Sequence, residues 1–209
     1  DGMKTILCPN RWCYYDYQQE EIQDIFKNHH LFITLRKAYS WDHREQLDPA
    51  VVSKCDDLLL GVQANLWGEF IPDSGKLETQ TYPREGVIAE TAWTKDGSRN
   101  FGSFRMRMAK EFERLEAKGY DYSKAFYQTI INMNLESDYP REVELELDYP
   151  YADIHYTLDG SEPTSGSPLA PAFFTVNKGD VLKACGFRKD GSRVGTTIYR
   201  KFGEKGEDK

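Results

Sequence analysis

Two short apolar runs constrain this chain more than any other feature. KTILCP occupies positions 4–9, and Leu58-Leu59-Leu60 leads into GVQANLW. Between them LDPAVVSK carries a helix-start signal, with Asp48 as cap and Pro49 in the first turn. Strand, helix, strand is a parallel unit, and strands apolar on both faces belong in a sheet covered on both sides. Two strands cannot close such a sheet. A (β/α)8 TIM barrel takes about 250 residues, so residues 1–136 are expected to be the C-terminal portion of a TIM-barrel domain. Its earlier strands then lie outside the 209-residue chain.

The segments downstream fit helices around such strands. QTYPREGVIAETAW at 80–93 places Pro83 near a helix start, offers Val87, Ile88 and Ala92 as an apolar face, and stops at Thr94-Lys95-Asp96-Gly97. Phe101, Phe104, Met108, Phe112 and Leu115 recur at spacings of three and four, which predicts an amphipathic helix ending at Gly119. Tyr122 to Met133 is expected to add a short helical piece.

From Ser137 the pattern changes. EVELEL alternates, ADIHYTLDG runs into an Asp-Gly turn, and FFTV, DVLKACGF and TTIYRKF follow at short spacing. Residues 137–203 are expected to form a small antiparallel β-sandwich of five strands, with 204–209 as a tail. The fold class is thus α/β plus all-β.

Charge narrows the function classes. A formal net charge of −7 argues against nucleic acid and anionic membrane as partners, because a polyanion needs a basic surface. No apolar run reaches the 18 or so residues of a membrane span. Cys8, Cys13, Cys55 and Cys185 have no metal-site spacing and read as free, largely buried thiols; a Cys8–Cys13 disulfide stays open if the parent protein is exported. No cofactor or metal is expected. His29-His30 and the Asp16, Glu20, Glu21 cluster lack the spacing or loop a metal requires.

The candidate site lies at the strand ends, where barrel enzymes place functional groups. Trp67 and Glu69 stand two residues apart, as do Tyr14 and Asp16 in WCYYDYQ. On an extended chain such pairs project the same way. Adjacent ends that each offer a ring and a carboxylate can stack on the apolar face of a pyranose and accept hydrogen bonds from its hydroxyls. Read singly, Trp67 and Glu69 are equally a packed ring and a solvated carboxylate.

The runs LLLGVQANLWGEF and YPREGVIAETAWT resemble the closing strand and helix of the family 20 glycoside hydrolases, the β-N-acetylhexosaminidases. CPNRWCYYDYQ resembles that family's preceding strand with its Tyr-x-Asp motif, KAYSWD the linker after it, and IHYTLDGSEPT the small C-terminal β-domain of many bacterial members. The resemblance implies that Trp67 stacks under the terminal sugar and that Glu69 accepts hydrogen bonds from its O4 and O6 hydroxyls. It implies that catalytic Tyr14 donates to the substrate's acetamido oxygen and that Asp16 holds the outer hydroxyls. It also implies an exported or periplasmic parent acting on N-acetylhexosamine-terminated glycans.

Departures from the family pattern are equally specific. The family's Asp-Glu pair, its sugar-gripping arginine and its earlier pocket tryptophans have no counterparts here, and Trp12 and Trp41 are poorly placed as the further pocket aromatic. The chain alone is expected to be inactive, to need the N-terminal barrel segment of the same protein, and to self-associate through exposed strands. A non-catalytic carbohydrate-binding or scaffold module is the alternative. Arg84 and Glu90 are read as a structural pair, and Tyr156 and Asp159 as sheet packing and turn chemistry.

Overall fold

The computed structural model describes residues 2–19, 32–42, 50, 53, 56–95, 97–133 and 138–203. The expected helix over 48–54 falls largely outside these residues, as do His29-His30, Glu20, Glu21, Cys55 and the 204–209 tail. The chain forms two compact units, Asp1–Ala125 and Phe126–Lys209.

In the first unit, β1 (Thr5–Leu7) pairs in parallel with β2 (Leu59–Val62), as the strand–helix–strand pattern requires. The ladder is short for a local reason. Pro9 follows β1 and caps the single turn α1 (Asn10–Cys13), so pairing resumes only as an isolated bridge between Tyr14 and Asn65. Neither strand is the buried element expected, since Ile6 is 50% and Leu60 59% exposed.

Among the described residues four further helices belong to this unit. Thr34 caps α2 (Leu35–Tyr39) by accepting from Lys37 N at 3.0 Å, and Asp73 caps α3 (Ser74–Thr81) by accepting from Lys76 N at 2.7 Å. The sequence reading placed a helix start near Pro83, and the structure has one there. α3 ends at Thr81, and α4 (Arg84–Trp93) begins after Pro83, whose ring and missing N–H suit a helix start. Val87 is buried as expected, but Thr91 takes the inner position and Ala92 lies exposed.

The amphipathic helix is α5 (Phe101–Lys118). Asn100 caps it through Ser103 N at 2.8 Å, and Gly119 closes it at φ 73°, a left-handed conformation that glycine adopts without Cβ strain. Phe104, Phe112 and Leu115 are buried along one stripe. Tyr39 packs on this helix, its ring centroid 4.9 Å from Phe104, and its hydroxyl donates to Glu90 Oε1 at 2.6 Å. Arg107 donates to the other Glu90 oxygen. Glu90 is therefore structural, though Arg84 is not its partner.

Among its described residues the second unit holds six antiparallel strands. The order β3 (Thr129–Met133), β4 (Arg141–Leu147), β6 (Phe174–Val176) makes one sheet, and β5 (Asp153–Thr157), β7 (Val181–Phe187), β8 (Arg193–Lys201) makes the other. Of the stretch 122–133, where a short helical piece is expected, Lys124–Tyr127 forms a 3-10 turn, whereas Thr129–Met133 is a strand. Its pairing with β4 draws it into this unit, ahead of the boundary expected after residue 136. Val143, Leu145 and Val176 from one sheet meet Leu182 and Ala184 from the other, with Phe202 beside them. The alternation of β4 is borne out by the burial of Val143, Leu145 and Leu147 against the more exposed glutamates between them.

Tyr156 stacks on Phe174 at 4.5 Å, and Asp159 Oδ1 accepts from Ser161 N at 2.9 Å and from its hydroxyl at 2.6 Å. These are the packing and turn roles expected of them.

Candidate functional site

Tyr14 ends α1, held by its N–H to Asn10 O at 3.3 Å, and enters the bridge to Asn65. Tyr15 N donates to Asn65 O at 2.7 Å and Asn65 N to Cys13 O at 2.8 Å. This pair fixes the stretch before Trp67 against the segment that carries Tyr14. The consequence is direct contact: the Tyr14 and Trp67 rings meet edge to face, centroids 5.7 Å apart at 65°. Tyr17 adds a third ring, 6.2 Å from Tyr14. Trp67 remains 48% exposed, so ring surface is left for a ligand.

The carboxylates are placed differently from the sequence reading. Trp67 is extended, but β2 has already ended at Val62 and Glu69 lies on the 3-10 turn Gly68–Phe70. The reading that both project from one strand end therefore does not hold. Glu69 is exposed on that turn, whereas Asp16 is buried at 6% exposure.

What holds the Asp16 segment is a set of residues the sequence reading assigned no role at the site. Arg84, fully buried, donates through Nη1 to Tyr17 O at 2.9 Å and Ile33 O at 3.1 Å. Through Nη2 it donates to Tyr15 O and to Gln80 O. Gln80 Nε2 donates to Asp16 O at 2.9 Å, and Gln19 Nε2 to Thr79 O at 2.6 Å. The Arg84 guanidinium also sits over the Tyr15 ring at 4.7 Å.

A signal for this existed. Arg84, Val87 and Thr91 stand at helical spacing on one face, with Gln80 one turn earlier on the preceding helix.

Burial sets the electrostatics. It lowers the Arg84 pKa to about 9, with Tyr15 and Asp16 pulling it back up. A guanidinium stays charged at neutral pH on any such value. Burial pushes the Cys13 thiol up to about 12, with Cys8 adding to it, so Cys13 is a neutral buried side chain. Cys8, Cys13 and Cys185 are free. Among the described residues no group of three or more His, Cys, Asp and Glu could hold a metal ion.

The paired aromatic rings thus lie beside two segments that carry carboxyl groups. Residues 1–96 match the glycosyl hydrolase family 20 catalytic domain, and residues 143–199 match the Fn3 associated domain. Over residues 1–96 the chain is therefore similar to a segment of a family 20 catalytic domain.

The chain is 33% identical over 110 residues to a beta-hexosaminidase of Akkermansia muciniphila, covering 52% of this chain and 21% of that protein. It is 29% identical over 109 residues to a beta-N-acetylhexosaminidase of Cellulomonas fimi, again over 52% of this chain and 21% of the relative. The chain thus spans about a fifth of the length of these curated relatives. Among solved structures, the family 20 beta-N-acetylhexosaminidase from Streptomyces coelicolor superposes with a TM-score of 0.51 at 26% identity, over 58% of this chain and 24% of that one.

Proposed function

We propose that this chain supplies the terminal βα units of a (β/α)8 barrel and one wall of the sugar pocket of an exo-β-N-acetylhexosaminidase. The parent enzyme removes terminal β-linked N-acetylglucosamine or N-acetylgalactosamine with retention of configuration. The observation that carries the reading is the Tyr14–Trp67 contact, in which a half-exposed indole lies beside a phenol. Trp67 stacks under the terminal pyranose, and Glu69 and Asp16 accept hydrogen bonds from its hydroxyls.

Tyr14 carries the catalytic weight on this wall. In substrate-assisted hydrolysis the acetamido oxygen of the sugar attacks its own anomeric carbon and the leaving oxygen takes a proton. A phenol fixed on the acetamido oxygen orients it for that attack. The proton donor is absent from this chain, which contains no Asp-Glu dipeptide. The chain by itself therefore binds sugar weakly and hydrolyses none. The earlier barrel strands of the same protein bring the acid and cover Ile6 and Leu60. An exported parent, secreted or periplasmic, suits extracellular glycans as substrate.

The test is a nuclear magnetic resonance titration of the chain with N-acetylglucosamine. Saturable shifts at the Trp67 indole and the Tyr14 ring, lost in Trp67→Ala, are expected. Shifts confined to residues 126–203, or none at all, would overturn the reading.

A further inference from the structure

We propose that Arg84 is a positioning residue for Tyr14, acting with Gln80 as a clamp on the segment that carries the pocket phenol. This deepens the sugar-pocket reading and rests on it for its functional meaning.

A fully buried cation is costly unless its donors are satisfied. Here four backbone carbonyls, from Tyr15, Tyr17, Ile33 and Gln80, accept from Nη1 and Nη2, while Nε has no partner among the described residues. Two of these flank Asp16, whose own carbonyl is taken by Gln80. Three consecutive peptide groups immediately after Tyr14 are therefore gripped by the facing ends of α3 and α4.

On its other side the same segment is tied to Asn65, two residues before Trp67. The helices and the residues that follow β2 thus fix one short backbone stretch between them. The relation of the Tyr14 ring to Trp67 is set by that stretch. Tyr15, the residue between the two pocket side chains, has its ring under the guanidinium and is 2% exposed. Arg84 reaches no solvent-accessible surface, so it touches no substrate and acts only through this backbone. The arrangement matters because a displacement of about 1 Å in a group that orients a reacting atom can cost about 10²-fold in rate.

The experiment compares Arg84→Met, Arg84→Lys and Gln80→Leu in the 209-residue chain. The readouts are the proton–proton Overhauser contact between the Tyr14 and Trp67 rings, and that between Tyr39 and Phe104 as a control for folding of the first unit. Arg84→Met is expected to lose the Tyr14–Trp67 contact while the Tyr39–Phe104 contact persists. Arg84→Lys, which keeps the charge but not the planar fork, is expected to restore it in part. Gln80→Leu, which frees only the Asp16 carbonyl, is expected to weaken it.

A Tyr14–Trp67 contact of wild-type intensity in folded Arg84→Met would overturn the proposal. Should Arg84→Met lose the control contact as well, Gln80→Leu decides, and an unchanged Tyr14–Trp67 contact there overturns it. The sugar titration separates the two claims: a wild-type chain that binds no N-acetylglucosamine refutes the pocket reading, whereas the ring contacts judge the clamp alone.

Discussion

Tyr14 and Trp67 meet edge to face with ring centroids 5.7 Å apart, joined through the bridge between Tyr14 and Asn65. The two rings come from the separate segments that follow β1 and β2, and each has a distinct task. In the complete enzyme, Tyr14→Phe is expected to lower kcat about 10²-fold with a smaller change in KM, because the lost hydrogen bond serves the transition state. Trp67→Ala should instead raise KM, since stacking is shared by ground and transition states. Steady-state kinetics on an aryl N-acetylglucosaminide separates the two.

Tyr39 links stability to alkaline pH. Burial and then its hydrogen bond to Glu90 push the phenol up to about 12, above the ordinary value of 10.0. The folded state therefore keeps a proton that the unfolded chain loses first. Stability from this group is complete below pH 10 and drains away between pH 10 and about 12. Tyr39→Phe is expected to flatten that part of the stability profile and to cost about 1–2 kcal/mol at neutral pH. Urea unfolding at a series of pH values measures both.

Gly195 offers the sharpest test of the second unit. It sits at φ 71°, and a Cβ there would lie 2.1 Å from the carbonyl oxygen of Tyr127. Gly195→Ala combines left-handed backbone strain with a clash against main chain, and about 3 kcal/mol or more of destabilisation is expected. Thermal unfolding should show the loss, whereas Gly166→Ala, at a site where the nearest atom is 3.7 Å away, should show little.

Ile6 and Leu60 predict association. With half or more of each side chain exposed on β1 and β2, copies of the isolated chain are expected to pair through these strands. Ile6→Lys with Leu60→Lys should shift the species toward monomer in light scattering. A wild-type monomer at high concentration would contradict the expectation.

Sequence periodicity revealed the elements whose pattern is local. α5 repeats its apolar residues at three and four and ends at a glycine, and β4 alternates, so each could be read without knowing its neighbours. β3 could not be read this way. TIINM has no period of its own, and it is a strand because β4 offers it a ladder from Thr129↔Leu147 to Met133↔Val143. α3 was missed for the opposite reason, since SGKLETQT has no apolar face and its Leu77 is exposed.

At the site, residue types and spacing singled out Tyr14, Asp16, Trp67 and Glu69 as candidates, but not their geometry. The alternation argument needs a continuous strand, and α1 interrupts the partner that would have extended β2 to Glu69. Arg84 was read with Glu90 as a structural pair. Its solvation by carbonyls depends on how the segment from Tyr15 to Tyr17 passes the start of α4, which only the fold supplies.

The most direct measurement of the central claim is release of para-nitrophenol from its β-N-acetylglucosaminide. It compares this chain, the longer polypeptide that adds the preceding barrel strands, and that polypeptide carrying Tyr14→Phe. The account predicts turnover by the longer polypeptide, silence from the chain alone and a loss of about 10²-fold in the variant. Turnover by the isolated chain, or full activity in Tyr14→Phe, would contradict it.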